Sequence, residues 1–253
     1  MMKLRIALTL IFACWSPLLQ AFALIHAHSR ASLNITPVSP AVVFHWDGRY
    51  PDLTDLEEVP ELFADGEVVA DIPSQVVAYR AMELAMQQWN EVEGSFLEMV
   101  LQADGSVLPS SQADFHTITT EANTNHSTAA YAEPIIRDGW ITNCNIYISD
   151  RQVRATSFVR TVVHELGHCA GLGHSHDHYG AIMGYSRAGN SYRLGADDKL
   201  GLIFLYPASA EDASHVQTIE CGQSESASGT RLPLVMMLSP LLLAWLCTRR
   251  FLS

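Results

Sequence analysis

Basic side chains are scarce in this 253-residue chain: 15 Lys and Arg stand against 27 Asp and Glu, a net charge of −12 with histidine neutral. Four of those bases, Lys3, Arg5, Arg249 and Arg250, lie at the two ends, so residues 24–231 hold eleven bases against 27 acids. Such a surface repels a chain of phosphates, which excludes nucleic acid as a partner. Solubility outside a cell, Ca2+ binding and a preference for basic substrates all agree with it, as does a merely solvated surface. No internal repeat is visible, so the chain is not a solenoid. Its length leaves little room for a second full domain beside one of medium size. Cysteine is sparse too: of five residues, Cys14 and Cys247 lie in the end segments, leaving Cys144, Cys169 and Cys221.

Both ends carry export signals. Residues 1–23 have the build of a secretory leader: a basic start at Lys3 and Arg5, an apolar run from Ile6 to Leu19, and Ala21-Phe22-Ala23 as an A-x-A cleavage box, so that the mature chain begins at Leu24. A lipoprotein reading would instead place lipid on Cys14, although the bulky Phe12 fits its box poorly. Leu232 to Cys247 is sixteen residues without a charge, followed by Arg249-Arg250. At about 1.5 Å per residue that run reaches roughly 24 Å, slightly short of a hydrocarbon core. Pro233, Pro240 and the lack of a polar face argue against a buried helix, and the arginines would hold the terminus on the cytoplasmic side. A small, polar linker precedes the run, and the tail resembles the sorting tails of bacterial surface proteins; a GPI signal usually lacks the arginine pair. The organisation expected is a signal peptide over 1–23, a short segment over 24–40, a catalytic domain over 41–207, a linker over 208–231 and an anchor or sorting tail over 232–253. The location expected is exported: extracellular, periplasmic or cell-surface, with membrane attachment through the tail.

Between the ends, apolar periodicity predicts alternating elements. Ala41 to Trp46 reads as a first strand. From Asp47 to Asp71 there are nine acids and one base, Arg49, and this reads as a long solvated connection. Ser74 reads as the N-cap of the clearest helix, which Gly94 ends. Phe96 to Leu101, Ala113 to Thr120 and Trp140 to Ile148 read as strands, while Ala122 to Ala132 reads as an irregular loop near the sheet edge. Thr156 to Cys169 is a further helix, its inner face formed by Phe158, Val159, Val162, Val163 and Leu166. An exported chain favours one disulfide among its three central cysteines. Cys144 with Cys169 is preferred, because the strand and helix that hold them should be neighbours.

The chemistry is concentrated in His164-Glu165-Leu166-Gly167-His168-Cys169-Ala170-Gly171-Leu172-Gly173-His174. Residues four apart lie one turn above each other on a helix, so His164 and His168 can reach one ion. Glu165 sits beside them as a proton acceptor rather than a third ligand. A continuing helix would carry His174 away from the ion, but Gly171 can turn through positive φ and swing it back. Three neutral imidazoles leave a fourth position of Zn2+ open for water, the catalytic rather than the structural pattern.

His164 to Ser175, Met183 in a turn bounded by Gly180 and Gly184, and the run from Asp197 to Tyr206 together resemble the metzincin metalloproteases, and most closely their matrixin-like branch. The resemblance implies an α+β domain with a twisted mixed sheet, an active-site helix, a central helix and a small C-terminal subdomain after His174. It implies Zn2+ on His164, His168 and His174, with Met183 as an apolar floor in the Met-turn and Glu165 as general base. The reaction implied is endopeptidase cleavage of protein or peptide substrates. His176, Asp177 and His178 read as loop residues, with a calcium or second-zinc site there as the alternative. Tyr185, two residues after the Met, matches a tyrosine that ligates zinc and stabilises the transition state in astacin-like and serralysin-like enzymes; it could equally be a wall residue. No cysteine-switch segment precedes residue 41 and no haemopexin-like repeat follows the domain, so thiolate latency has no visible agent. The other class of function open to the sequence is a non-catalytic surface-binding module holding zinc structurally, against which Glu165 argues.

Overall fold

The computed structural model describes residues 22–25, 31–103, 115–122, 129–175, 180–185 and 191–213. Residues 1–21, the linker and tail from 214 on, Cys14, Cys221, Cys247, His176, Asp177 and His178 lie outside the described residues. The strands are β1 (Ser32–Leu33), β2 (Ala41–Trp46), β3 (Leu53–Thr54), β4 (Glu98–Ala103), β5 (His116–Glu121), β6 (Ala130–Arg137), β7 (Trp140–Ser149) and β8 (Val153–Arg154); the helices are α1 (Ser74–Asn90), α2 (Ala155–Cys169) and α3 (Ala196–Leu205). Six strands form a mixed sheet in the order β1-β7-β5-β2-β4, with β6 also on β7, while β3 and β8 pair separately. All pairs are parallel except β6 with β7.

Alternation explains how the sheet meets the helices. In β2, Val42, Phe44 and Trp46 are buried while Ala41 and Val43 are not. The inward set continues through Met99, Leu101, Ile118, Cys144, Ile146 and Ile148. These side chains pack with Ala78, Ala81, Met82 and Ala85 of α1 and with Phe158, Val159, Val162 and Leu166 of α2. Trp89 of α1 is fully buried, and its indole N–H donates to the Val163 carbonyl of α2 at 2.9 Å. That bond fixes the two helices against each other along the stretch that carries the histidines.

Several boundaries differ from the expectations. β4 begins at Glu98 rather than Phe96, because the Phe96 N–H bonds to Tyr206 O and the Leu97 N–H to Ser95 Oγ. α1 starts at Ser74 with Pro73 in the cap position and no side-chain cap, so Ser74 is not the N-cap. The helix ends at Asn90, before Gly94, and the Asn90 amide bonds both backbone groups of Met99 at 2.7 and 2.8 Å. Of the stretch expected as a loop up to Ala132, residues from Ala130 on belong to β6, an edge strand. Pro134 obscures that strand in the sequence, yet an edge tolerates a residue without an N–H.

The acidic connection is also more structured than a solvated loop. It holds β3 and three 3-10 turns, Leu56–Glu58, Pro60–Leu62 and Val69–Asp71, and buries Val59 and Leu62 in the core. Its acids meet bases from distant elements: Glu58 and Asp55 with Arg154, Glu61 with Arg193, and Glu67 with Arg80. Glu58 also accepts the Thr156 hydroxyl at 2.9 Å, in the first turn of α2, where an acid complements the helix dipole.

Among the described residues, no helix is long and apolar enough to cross a membrane. The stretch 232–247 lies outside them.

Candidate metal centre

α2 carries His164, Glu165 and His168 in its last two turns and ends at Cys169. Gly171 has φ +98°, and the end of the helix is closed by Gly171 N–H to His168 O at 3.0 Å and Leu172 N–H to Gly167 O at 2.9 Å. This is a Schellman closure, which requires the left-handed residue that glycine supplies without penalty. A Cβ on Gly171 would also collide with the Ala31 carbonyl. The reversal returns the chain, and the imidazoles of His164, His168 and His174 come together with one ligating nitrogen from each, all within 4.8 Å of one another. Their ring centroids are 4.7 to 5.0 Å apart. Among the described residues this is the one group of three His, Cys, Asp or Glu side chains so arranged.

Two backbone carbonyls set the tautomers. His164 Nδ1 lies 2.8 Å from Ile182 O, and His168 Nδ1 lies 2.8 Å from Leu172 O. A carbonyl only accepts, so each Nδ1 carries the proton and each Nε2 presents a lone pair. His164 Nε2 faces His174 Nε2 at 3.0 Å. If His174 Nε2 also presents a lone pair, a cation between the two nitrogens relieves them, and bonds from the other ring nitrogen to a carbonyl accompany metal-ligating histidines. The residues therefore fit a divalent ion that prefers nitrogen, of which zinc is the commonest. Glu165 lies between the two helix histidines in sequence, 6% exposed, as is His164. Burying a carboxylate is costly unless it is paired or hydrogen-bonded, which marks Glu165 as a candidate for a role in the site.

The floor is built by Ala181 to Gly184. Met183 is 2% exposed and packs where Gly167 leaves the helix bare: a Cβ on Gly167 would collide with Met183 Sδ and come within 2.9 Å of the Trp89 ring. Ser175 N–H donates to Met183 O at 2.9 Å and Tyr185 N–H to Ser175 O at 3.2 Å, stitching this turn to the residue after His174. The Tyr185 ring lies 4.5 Å from that of His174 and is 62% exposed. Beneath the helix, a disulfide joins Cys144 of β7 to Cys169, tying the sheet to the residue next to His168.

Four residues outside the candidates read from the sequence hold this arrangement. Asp198, 2% exposed, accepts the N–H groups of Ile182 at 2.7 Å, Met183 at 3.1 Å and Gly195 at 2.8 Å. Burial pushes its carboxyl upward in pKa, the three donors oppose that, and the neighbouring Asp197 adds to it. Its carboxylate on the Gly195 N–H at the start of α3 makes half of a capping box, and because glycine at the cap has no side chain for the other half the sequence carries no capping-box signature. Gly167 and Trp89 act through close packing, which no spacing rule reports. Tyr206 accepts Leu33 N–H at 2.8 Å and donates to Ala170 O at 2.7 Å, fixing the end of α2.

No curated protein matches the chain. Among solved structures 72 chains match. One is described as the GM1 bound form of the ECX AB5 holotoxin, at 11% identity over 71% of this chain and 87% of that chain, with a TM-score of 0.39 that is too low to bear on the argument. The family model for matrixin, peptidase family M10, matches residues 71–207. That span is more than half of the sequence and contains the three histidines, Glu165 and Met183, and the chain therefore belongs to the matrixin family of peptidases.

Proposed function

We propose that the protein is an exported, zinc-dependent endopeptidase that hydrolyses peptide bonds in extended polypeptides. The observation that carries the reading is the convergence of three imidazoles, two with their Nδ1 protons fixed on backbone carbonyls, around a helix that also buries Glu165. Zinc, when bound, supplies Lewis acidity toward water and the scissile carbonyl. His164, His168 and His174 would hold it through neutral nitrogens. Glu165 accepts a proton from the attacking water at its carboxylate and delivers it to the leaving amine, the work of a general base and then a general acid. Tyr185, beside His174, offers its hydroxyl to the oxyanion that forms on the substrate. Export rests on the leader and is supported by the Cys144–Cys169 disulfide, which persists in oxidising compartments. The tail after residue 232 attaches the protein to a membrane, at least during export.

The test is a peptide-library digest by the zinc-loaded protein and by Glu165→Ala, with products mapped by mass spectrometry. The expected result is cleavage by the wild type and a loss of about 10^2 to 10^4-fold in the variant. Equal cleavage by both, or none by the zinc-loaded wild type, would overturn the reading in favour of a binding module.

A further inference from the structure

We propose that Phe22 to Ile25 form a strap that positions His168 and His174, so that the folded protein begins at or before Phe22 and not at Leu24. This rests on reading His168 as a metal ligand. Leu24 forms an antiparallel bridge with Leu172. Ala23 O accepts the Gly173 N–H at 2.8 Å, and Ile25 N–H donates to Gly171 O at 3.0 Å. These bonds flank Leu172, whose carbonyl takes the Nδ1 proton of His168. The strap therefore holds, from both sides, the peptide that orients one imidazole, and it does so on the turn that delivers His174.

The close approach is built into the sequence at two glycines. A Cβ on Gly173 would lie 2.7 Å from Leu24 O, and one on Gly201 would lie 2.8 Å from Leu172 Cδ2 and 3.2 Å from Phe22. The Phe22 ring also packs on Phe204 of α3 at 5.2 Å between centroids. Cleavage after Ala23, where the A-x-A box points, would remove the Phe22 ring and the Ala23 acceptor. It would also place a new ammonium on Leu24, so that the Gly173 N–H would meet a donor instead of an acceptor. Cleavage after Ala21 leaves every one of these contacts intact and still has a small residue before the cut.

Two measurements decide the matter. Intact mass of the chain secreted by an expression host should place the mature N-terminus at Phe22 or upstream; a start at Leu24 would overturn the proposal. Full-length chains beginning at Phe22 and at Leu24, purified in detergent, are then compared by thermal melting and by zinc competition with a chelator. The Leu24 chain should melt several degrees lower and bind zinc about tenfold more weakly, the size of effect typical when the group that orients a ligand histidine is disturbed. Ile25→Pro in the complete chain, which deletes one strap donor, should move both readouts in the same direction. Equal affinity and melting temperature across these proteins would overturn the strap. If the longer chain itself binds no zinc, the metal reading fails, and the melting difference alone still decides the strap.

Discussion

His168 and His164 are oriented by the same chemistry drawn from different distances along the chain. His168 gives its Nδ1 proton to Leu172, four residues on and inside the same short motif, whereas His164 gives its proton to Ile182, eighteen residues on. The near support follows from how a helix ends: Gly171 closes the Schellman turn and Leu172 arrives beneath His168. The far support needs a separate turn brought under the helix and kept there, and the agent is a buried carboxylate, Asp198, that saturates the N–H groups of Ile182 and Met183. One side thus depends on backbone conformation and the other on a charged group in a desolvated position. Substitutions should break the two sides differently.

The largest effect is expected on the far side. Asp198→Ala leaves two buried N–H groups without an acceptor and should cost about 3 kcal/mol, given roughly 1–3 kcal/mol for each unsatisfied group. Thermal melting should show a drop of roughly 6–12 °C for a chain of this size. A variant that melts like the wild type would remove Asp198 from the account. On the near side, Gly171→Ala forces a side chain into φ +98° and against the Ala31 carbonyl. A cost of about 2 kcal/mol is expected by denaturant unfolding.

A smaller effect lies away from both supports and separates loss of the sheet from loss of the site. Burial, with a lesser contribution from His45, holds the His116 imidazole down to about 4. Its neutral form stabilises the fold fully above the usual histidine value near 6.5, and that contribution is lost as pH falls from there through about 4. Urea unfolding should show stability falling by about 1 kcal/mol between pH 7 and 5 from this group, after allowance for its partial exposure. His116→Phe should flatten that slope while leaving zinc affinity at neutral pH unchanged; an unaltered slope would remove His116 as its source. The smallest effect is expected at Ser175, whose hydroxyl is buried with no hydrogen-bond partner among the described residues. Ser175→Ala should change stability by less than about 0.5 kcal/mol, although it directly follows His174, and a loss well above that would reveal a partner for the hydroxyl.

What could be read in the sequence divides along the same line. Contacts within one element or one turn leave a local signature: β2 was readable from its short apolar run closed by Asp47-Gly48, α2 from its apolar face, and the meeting of three histidines from spacing and one glycine. Contacts made at long range leave almost none. The connection after β2 read as solvated because its nine acids have one local base, Arg49, whereas Asp55, Glu58, Glu61 and Glu67 find partners in Arg80, Arg154 and Arg193. Gly167 looks like any helix glycine until Met183 and Trp89 are packed against it. β6 was hidden by Pro134, whose tolerance depends on the strand being at an edge. Asp198 was visible as part of an acidic pair but carried no sign of the turn it holds.

The central claim is that two backbone carbonyls at different sequence distances impose the same tautomer, so that the ligand histidines present Nε2 to the ion. Nitrogen NMR of 15N-histidine-labelled, zinc-loaded protein tests it directly. The account predicts Nε2 coordination with a retained Nδ1 proton on both His164 and His168; coordination through Nδ1 on either, or a mobile tautomer mixture in the zinc form, would contradict it.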